Sequence, residues 1–163
     1  MAEIVQIEHA EALNAIERAN VDIQISTAKK YPRDIQQVIN KIKTIAEIDK
    51  ETAADCFYNL KREGKNIEGI SVRMAEIIGN SWGNMRIMTS IIGNDGKAIT
   101  ARGECIDLEN NFAASCEVKR RITTKDGRTY SEDMQVVTGN AAASIAYRNA
   151  LFKVVPKAFF SRA

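Results

Sequence analysis

Histidine is almost absent from this chain of 163 residues; there is one, His9. It falls in an N-terminal stretch of helical pattern, and a lone surface histidine is inert to function as a rule. Cysteine is scarce and odd in number. Cys56, Cys105 and Cys116 lack close spacing, so neither a disulfide framework nor a zinc site is indicated. Cys105 and Cys116 lie in expected strands and read as small buried thiols. No apolar run approaches the ~20 residues that span a bilayer. The N-terminal MAEIVQIEHAEAL has an early Glu3 and no basic-then-apolar order, so a signal peptide is not expected and a cytoplasmic location is. Gly79, Gly83, Gly93 and Gly96 form no phosphate loop between strand and helix, and no Walker-type lysine follows them. Zinc-finger, helix-turn-helix and aromatic ribonucleoprotein signatures are missing as well.

What is present is ordinary in bulk. Hydrophobic residues make up 45% and charged residues 27%, and the length suits one domain with a real core. The net charge of +2 hides an asymmetry. Residues 112–163 hold nine Lys/Arg against four Asp/Glu, whereas residues 1–111 hold fourteen against seventeen. A basic C-terminal third on a nearly neutral chain points to a localised anionic partner, although solvated surface charge gives the same count.

The pattern predicts a mainly helical region over 1–66 and a β-meander with a closing helix over 67–163. Residues 3–19 read as helix and 21–26 (VDIQIS) as a short alternating strand. Pro32 and Asp34 open a helix to about Ile48, and Lys50–Arg62 reads as another, stopped by Gly64. Ser71 caps a helix over Val72–Asn80. Four strands are then expected: Met85–Ile92, Ala98–Leu108, Phe112–Ile122 and Arg128–Val137, joined by three hairpin turns. The fold class is therefore α+β: a bent antiparallel four-stranded meander packed by a C-terminal helix.

That last helix, Ala141–Lys157 (AAASIAYRNALFKVVPK), carries the most information. Asn140 is the expected N-cap and Pro156 the expected end. Ala143, Ala146, Tyr147, Ala150, Leu151 and Val154 share the core face. Ile145, Arg148 and Phe152 lie opposite, with Asn149 and Lys153 beside them. An aromatic ring one turn from a guanidinium suits a stacked base and its phosphate. Burial of Phe152 and Ile145 by a protein partner explains the same face. In the third strand Phe112, Ala114, Cys116 and Val118 point to the core, and Lys119 and Arg121 to solvent. Arg120 falls on the core parity and requires a bulge or an early exit from the core. Arg102, Lys119, Arg121, Lys125, Arg128, Arg148 and Lys153 would converge if the helix lay along the meander. Trp82 reads as core or a turn plug in preference to a base-stacking ring. Glu132 and Asp133, neighbours in the expected fourth strand, point to opposite faces and cannot share a substrate. No catalytic residue, metal or cofactor is therefore expected, and the chain does not read as an enzyme.

The order of segments resembles the single-strand annealing proteins of recombination, a superfamily with phage Erf, RecT and Redβ types and a eukaryotic type. The likeness is to the eukaryotic-type core, over about residues 67–155. Ile67-Glu68-Gly69, a short helix with Ala75-Glu76, and then Gly79 and Trp82 are similar to that family's opening helix and Gly-Trp turn. Cys116–Arg121, Lys125-Asp126-Gly127 and Glu132-Asp133 resemble its basic strand, its Lys-Asp-Gly turn and its fourth strand. Ala141–Lys153 resembles its alanine-rich helix. The resemblance implies a bent core assembled into rings or helical filaments, with single-stranded DNA in a basic groove, backbone inward and bases outward. It implies DNA contacts for Lys125, Arg148 and Lys153, and more loosely for Arg73. The family's long insertion before the last helix is here reduced to Val137–Asn140. The expected function is binding and annealing of single-stranded DNA in phage-type recombination, by a homo-oligomer. A phage exonuclease or a single-strand binding protein is the expected further partner, and a membrane is not. The alternative is a non-enzymatic module whose Phe152 face binds a protein.

Overall fold

A computed structural model of the chain describes residues 2–62 and 64–159. Among the described residues five α-helices and five strands are formed: α1 (Ala2–Lys30), α2 (Ile35–Ala46), α3 (Lys50–Asp55), β1 (Phe57–Arg62), β2 (Lys65–Ile70), α4 (Val72–Trp82), β3 (Met85–Asn94), β4 (Ala98–Asp107), β5 (Phe112–Arg121) and α5 (Glu132–Val154), followed by a 3-10 turn over Lys157–Phe159. The class is α+β, with β1–β2 a separate hairpin and β3–β4–β5 an antiparallel sheet with β4 central.

The caps at the start of α2 and α4 are those the sequence predicts. The Asp34 carboxylate accepts from the Gln36 and Gln37 N–H groups at 2.8 and 3.1 Å, and Ser71 Oγ accepts from Met74 N–H at 3.2 Å. Residues 21–26, expected as a strand, instead continue α1. Their alternation is short, and Val21, Ile25 and Ala28 also stand at helical spacing. Ala28 is buried and the other two half-buried, with no Gly or Pro to break the run. His9 falls within α1, and its side chain lies outside the described residues. The helix expected over Lys50–Arg62 ends at Asp55. Gly64, at φ 76°, then turns β1 into β2, so the mainly helical region stops at Asp55, eleven residues before residue 66.

The fourth strand expected over Arg128–Val137 is not formed. Pairing beyond β5 ends with a Thr123–Thr129 bridge and the Tyr130 N–H donating to Ile122 O at 2.8 Å. Ser131 then caps α5, its Oγ accepting from Met134 N–H at 3.4 Å, and Glu132 and Asp133 occupy the favourable first turn. The helix thus begins eight residues before Asn140.

α5 lies across the sheet along a seam of small residues. Gly139, Ala142, Ala146 and Ala150 are buried, spaced so that the helix backbone can approach β4 closely. Ala143, Tyr147 and Val154, expected in the core, are half-buried. Gly103 on β4 sits directly beneath, and a Cβ there would overlap the Ala146 carbonyl. The main core unites α2, α4, the sheet and the end of α5 through Val38, Ile42, Met74, Ile78, Cys105, Leu151 and Val155. Trp82, 3% exposed, belongs to it; its ring faces Phe159 at 5.4 Å and the Arg33 guanidinium at 5.1 Å. Burial pushes the Cys105 thiol up to about 12, which fits a packed and inert sulfur.

Candidate nucleic-acid interface

Side-chain parity decides where each basic residue goes. On β4, Ile99, Ala101, Gly103 and Cys105 face α5, so Thr100, Arg102 and Glu104 face away from it. The register pairs Arg102 with Glu117, Thr100 with Lys119 and Ala98 with Arg121. Lys119 and Arg121 therefore lie on the outer face of the sheet, as their strand positions predict. No bulge occurs at Arg120; the pairing continues there and the side chain is exposed.

The seven cations expected to converge divide into two zones. The outer zone holds Arg102, Lys119 and Arg121, with Lys125 and Arg128 in the turn beyond. Much of its charge is offset. Arg102 pairs with Glu117 at 2.7 Å, Lys119 with Asp95 at 2.8 Å and Arg128 with Asp126 at 3.8 Å. The Lys119 amine and the backbone N–H groups of Ala98 and Lys97 hold the Asp95 carboxyl well below the usual range. Thr129 Oγ1 donates to Gly96 O at 3.4 Å, which places the Lys125 turn beside the β3–β4 turn. Ser131, where α5 begins, is ~25 Å along the helix from Arg148 at 1.5 Å per residue. Lys125 and Arg148 thus mark opposite ends of α5. Arg73 belongs to neither zone; it is exposed in the first turn of α4 and pairs with Glu76 at 2.8 Å.

The inner zone is a groove of about 530 Å³ between the β1–β2 hairpin and the last turns of α5, with Cys116 of β5 at its side. Arg148, Phe152 and Lys153 line it together, joined by Lys157 and by Tyr58 of the hairpin. The Arg148 guanidinium lies 5.3 Å from the centre of the Tyr58 ring. It donates to Asn149 Oδ1 at 3.2 and 3.1 Å and to Ile70 O at 3.4 Å. Lys153 Nζ donates to Ser115 O at 2.7 Å. These acceptors are all neutral, so neither charge is cancelled, and each cation keeps donors to spare. Glu68 also lines the groove, its carboxylate accepting from Asn59 at 2.8 Å, so three cations face one carboxylate and the groove keeps a net positive charge, with the Tyr58 and Phe152 rings on its walls.

Tyr58 and Lys157 are absent from the sequence-based candidates. Tyr58 was hidden by reading 50–62 as helix. The usable signal was Gly64 between two runs, FYNL and NIEGI, that suit strands better than helix.

A larger open cleft, about 1030 Å³, separates α1 from the outer sheet face. Its rim carries Arg18, Lys29 and Arg86 against Glu17, Asp22 and Glu109, with Arg86 and Glu17 paired at 3.4 Å. Its charges offset, and it offers an anion no net attraction. No helix among the described residues is long and apolar enough to cross a membrane. The described residues hold no cluster of three or more His, Cys, Asp or Glu fit for a metal ion.

In comparisons with known proteins, no family model, curated protein or solved structure matches the chain.

Proposed function

We propose that the chain binds single-stranded DNA in the groove between the hairpin and α5, and that it promotes annealing of complementary strands. The observation that carries this reading is the groove's composition. Arg148 and Lys153 are held in place by neutral acceptors and retain their charge, with Tyr58 and Phe152 alongside. Phosphates are attracted by the cations, and base or sugar faces pack on rings, in a manner tolerant of sequence. Arg121 and Lys125 belong to a separate zone at the far end of α5, which only a strand longer than the groove reaches. Annealing makes and breaks no covalent bond; it needs backbone charge neutralised and bases left reachable. Assembly into a ring or filament, and handover from a nuclease or a single-strand binding protein, belong to the same proposal.

A fluorescence-anisotropy titration of a labelled mixed-sequence oligonucleotide tests it. Binding indifferent to sequence and falling steeply with salt is expected, together with faster pairing of complementary strands. Tight binding to one sequence only, or an affinity flat in salt, overturns it.

A further inference from the structure

The hairpin wall of the groove is built unlike the helix wall. Tyr58, Leu60, Ile67 and Gly69 share one face of the hairpin, since Tyr58 pairs with Gly69 and Leu60 with Ile67. Gly69 leaves room for the Tyr58 ring to lie across the hairpin, and Arg148 packs on that ring, so this face is turned toward α5. Leu60 and Ile67 continue it outward and are 59% and 40% exposed. The outer half of the opposite face is polar: Asn59 donates to Glu68 at 2.8 Å, and Lys61 pairs with Asn66. A hairpin laid over a core would turn its apolar side inward. Here the inner residues of that side, Tyr58 and Gly69, line a groove whose other wall carries Arg148, Lys153 and Lys157, and Leu60 and Ile67 continue the same face beyond that lining. A single exposed leucine is unremarkable in any protein surface, but a directly opposed apolar pair continuing the face that meets a row of cations matches a ligand with one anionic and one apolar edge. Single-stranded DNA is such a ligand.

We propose that Leu60 and Ile67 form an apolar wedge that enters between bases of the bound strand, unstacking one step while α5 holds the flanking phosphates. Leu and Ile are side chains of the kind that wedge between base steps. The inference rests on the DNA-binding reading above and adds a distinct consequence: the strand is held locally unstacked, its bases separated before a complement arrives.

The test uses the full chain and single-stranded oligonucleotides with 2-aminopurine between adenines, whose fluorescence is quenched by stacking. The protein should raise that fluorescence severalfold on binding. Leu60→Ser/Ile67→Ser should abolish the rise and weaken anisotropy-measured binding less than Arg148→Ala does. Leu60→Met/Ile67→Val, which keeps the apolar bulk, should retain the rise. Binding without a rise, or a rise that survives the serine pair, overturns the wedge and leaves the DNA-binding reading standing. Failure to bind the oligonucleotide at all overturns both. A change in particle mass on light scattering for the serine pair, with the rise intact, assigns the face to a second copy of the chain and also overturns the wedge.

Discussion

Arg33 and Asp107, far apart in sequence, form a two-pronged ion pair at 2.7 and 2.6 Å with both side chains 4% exposed. Glu109 accepts from Arg33 Nε at 3.0 Å, and Asn110 Nδ2 donates to Asp107 at 2.9 Å. The network fastens the link between α1 and α2 to the β4–β5 turn. Removing one partner of a buried pair leaves the other charged and desolvated. Asp107→Ala should therefore cost about 3 kcal/mol or more, short of complete unfolding because Glu109 still faces Arg33. Urea denaturation measures it; a loss under about 1 kcal/mol refutes the assignment as a fastening.

The same carboxylate makes stability sensitive to acid. Burial alone would raise the Asp107 carboxyl, but the Arg33 guanidinium and the Asn110 amides bring it net below its ordinary value. Asp95 and Asp49 are lowered too, Asp95 chiefly by the Lys119 amine and Asp49 by the Thr52 N–H. A depressed folded-state value means stability that is present above the unfolded carboxyl value of about 3.9 and lost as pH falls through the folded one. Thermal melts should be nearly flat from about pH 8 to 5 and drop below about pH 4, with a shallower drop in Asp107→Asn. A melting temperature that climbs as pH falls through that window contradicts this account.

Much of the fold was legible because its signals are local. Asp34 and Ser71 announce helices through a side chain two or three residues from the N–H it caps, and the turns at Asp95-Gly96 and Glu109–Asn111 separate strands of clear alternation. The errors arose where two local signals competed. Met134, Val136 and Val137 suit a strand, yet Ser131 with Glu132 and Asp133 makes a better helix start, and the small-residue seam from Gly139 onward pays for extending it. The groove was half legible. Arg148, Phe152 and Lys153 share a helix face, but Tyr58 arrives from a hairpin that the helical reading erased. The Arg33–Asp107 pair had no sequence signal, since it depends on how distant segments meet.

Two glycines with opposite expected outcomes test the packing of α5. At Gly103 a Cβ would meet the backbone carbonyl of Ala146, which cannot swing aside as a side chain can. Gly103→Ala should destabilise by about 3 kcal/mol as the helix is pushed off β4. At Gly139 a Cβ would meet only Ile91 and Ile99 side-chain atoms at 3.7–3.9 Å, ordinary contact. Gly139→Ala should stabilise by up to about 1 kcal/mol through helix propensity. Equal effects of the two substitutions would contradict the close approach at Gly103.

Arg148 gives the groove its sharpest binding test. Removing one phosphate-neutralising cation should flatten the slope of log affinity against log salt by about 0.7 for a single strand. Arg148→Ala should show that change with its melting temperature little altered, because its partners Asn149 and Ile70 are at the groove edge. Arg148→Lys should restore the slope but not full affinity, since an ammonium cannot reproduce the planar contact with Tyr58. An unchanged salt slope in Arg148→Ala places the phosphates elsewhere.

Assembly is the most demanding expectation. Without a fourth strand, β3 and β5 are both ten-residue edges of the sheet, a condition that invites pairing unless it is blocked. Lys119 and Arg121 on β5 and the bulge between Ile91 and Gly93 on β3 guard against random pairing, so neighbours are more readily joined through side chains. Met134, Val136 and Val137 on the first turns of α5 are exposed, as are the nearby sheet residues Ile91 and Ile92. A contact between this patch and a different surface of the next copy would be heterologous and would close into a ring or grow as a helix. Many modest grooves then act on one strand, and avidity rises by roughly a hundredfold or more over a single subunit. Light scattering of the chain, with and without single-stranded DNA, should report a large homo-oligomer. Val136→Lys/Val137→Lys should reduce the mass and weaken binding to long oligonucleotides far more than to short ones. A wild-type chain that stays monomeric in both conditions and still anneals complementary strands would remove assembly from the mechanism.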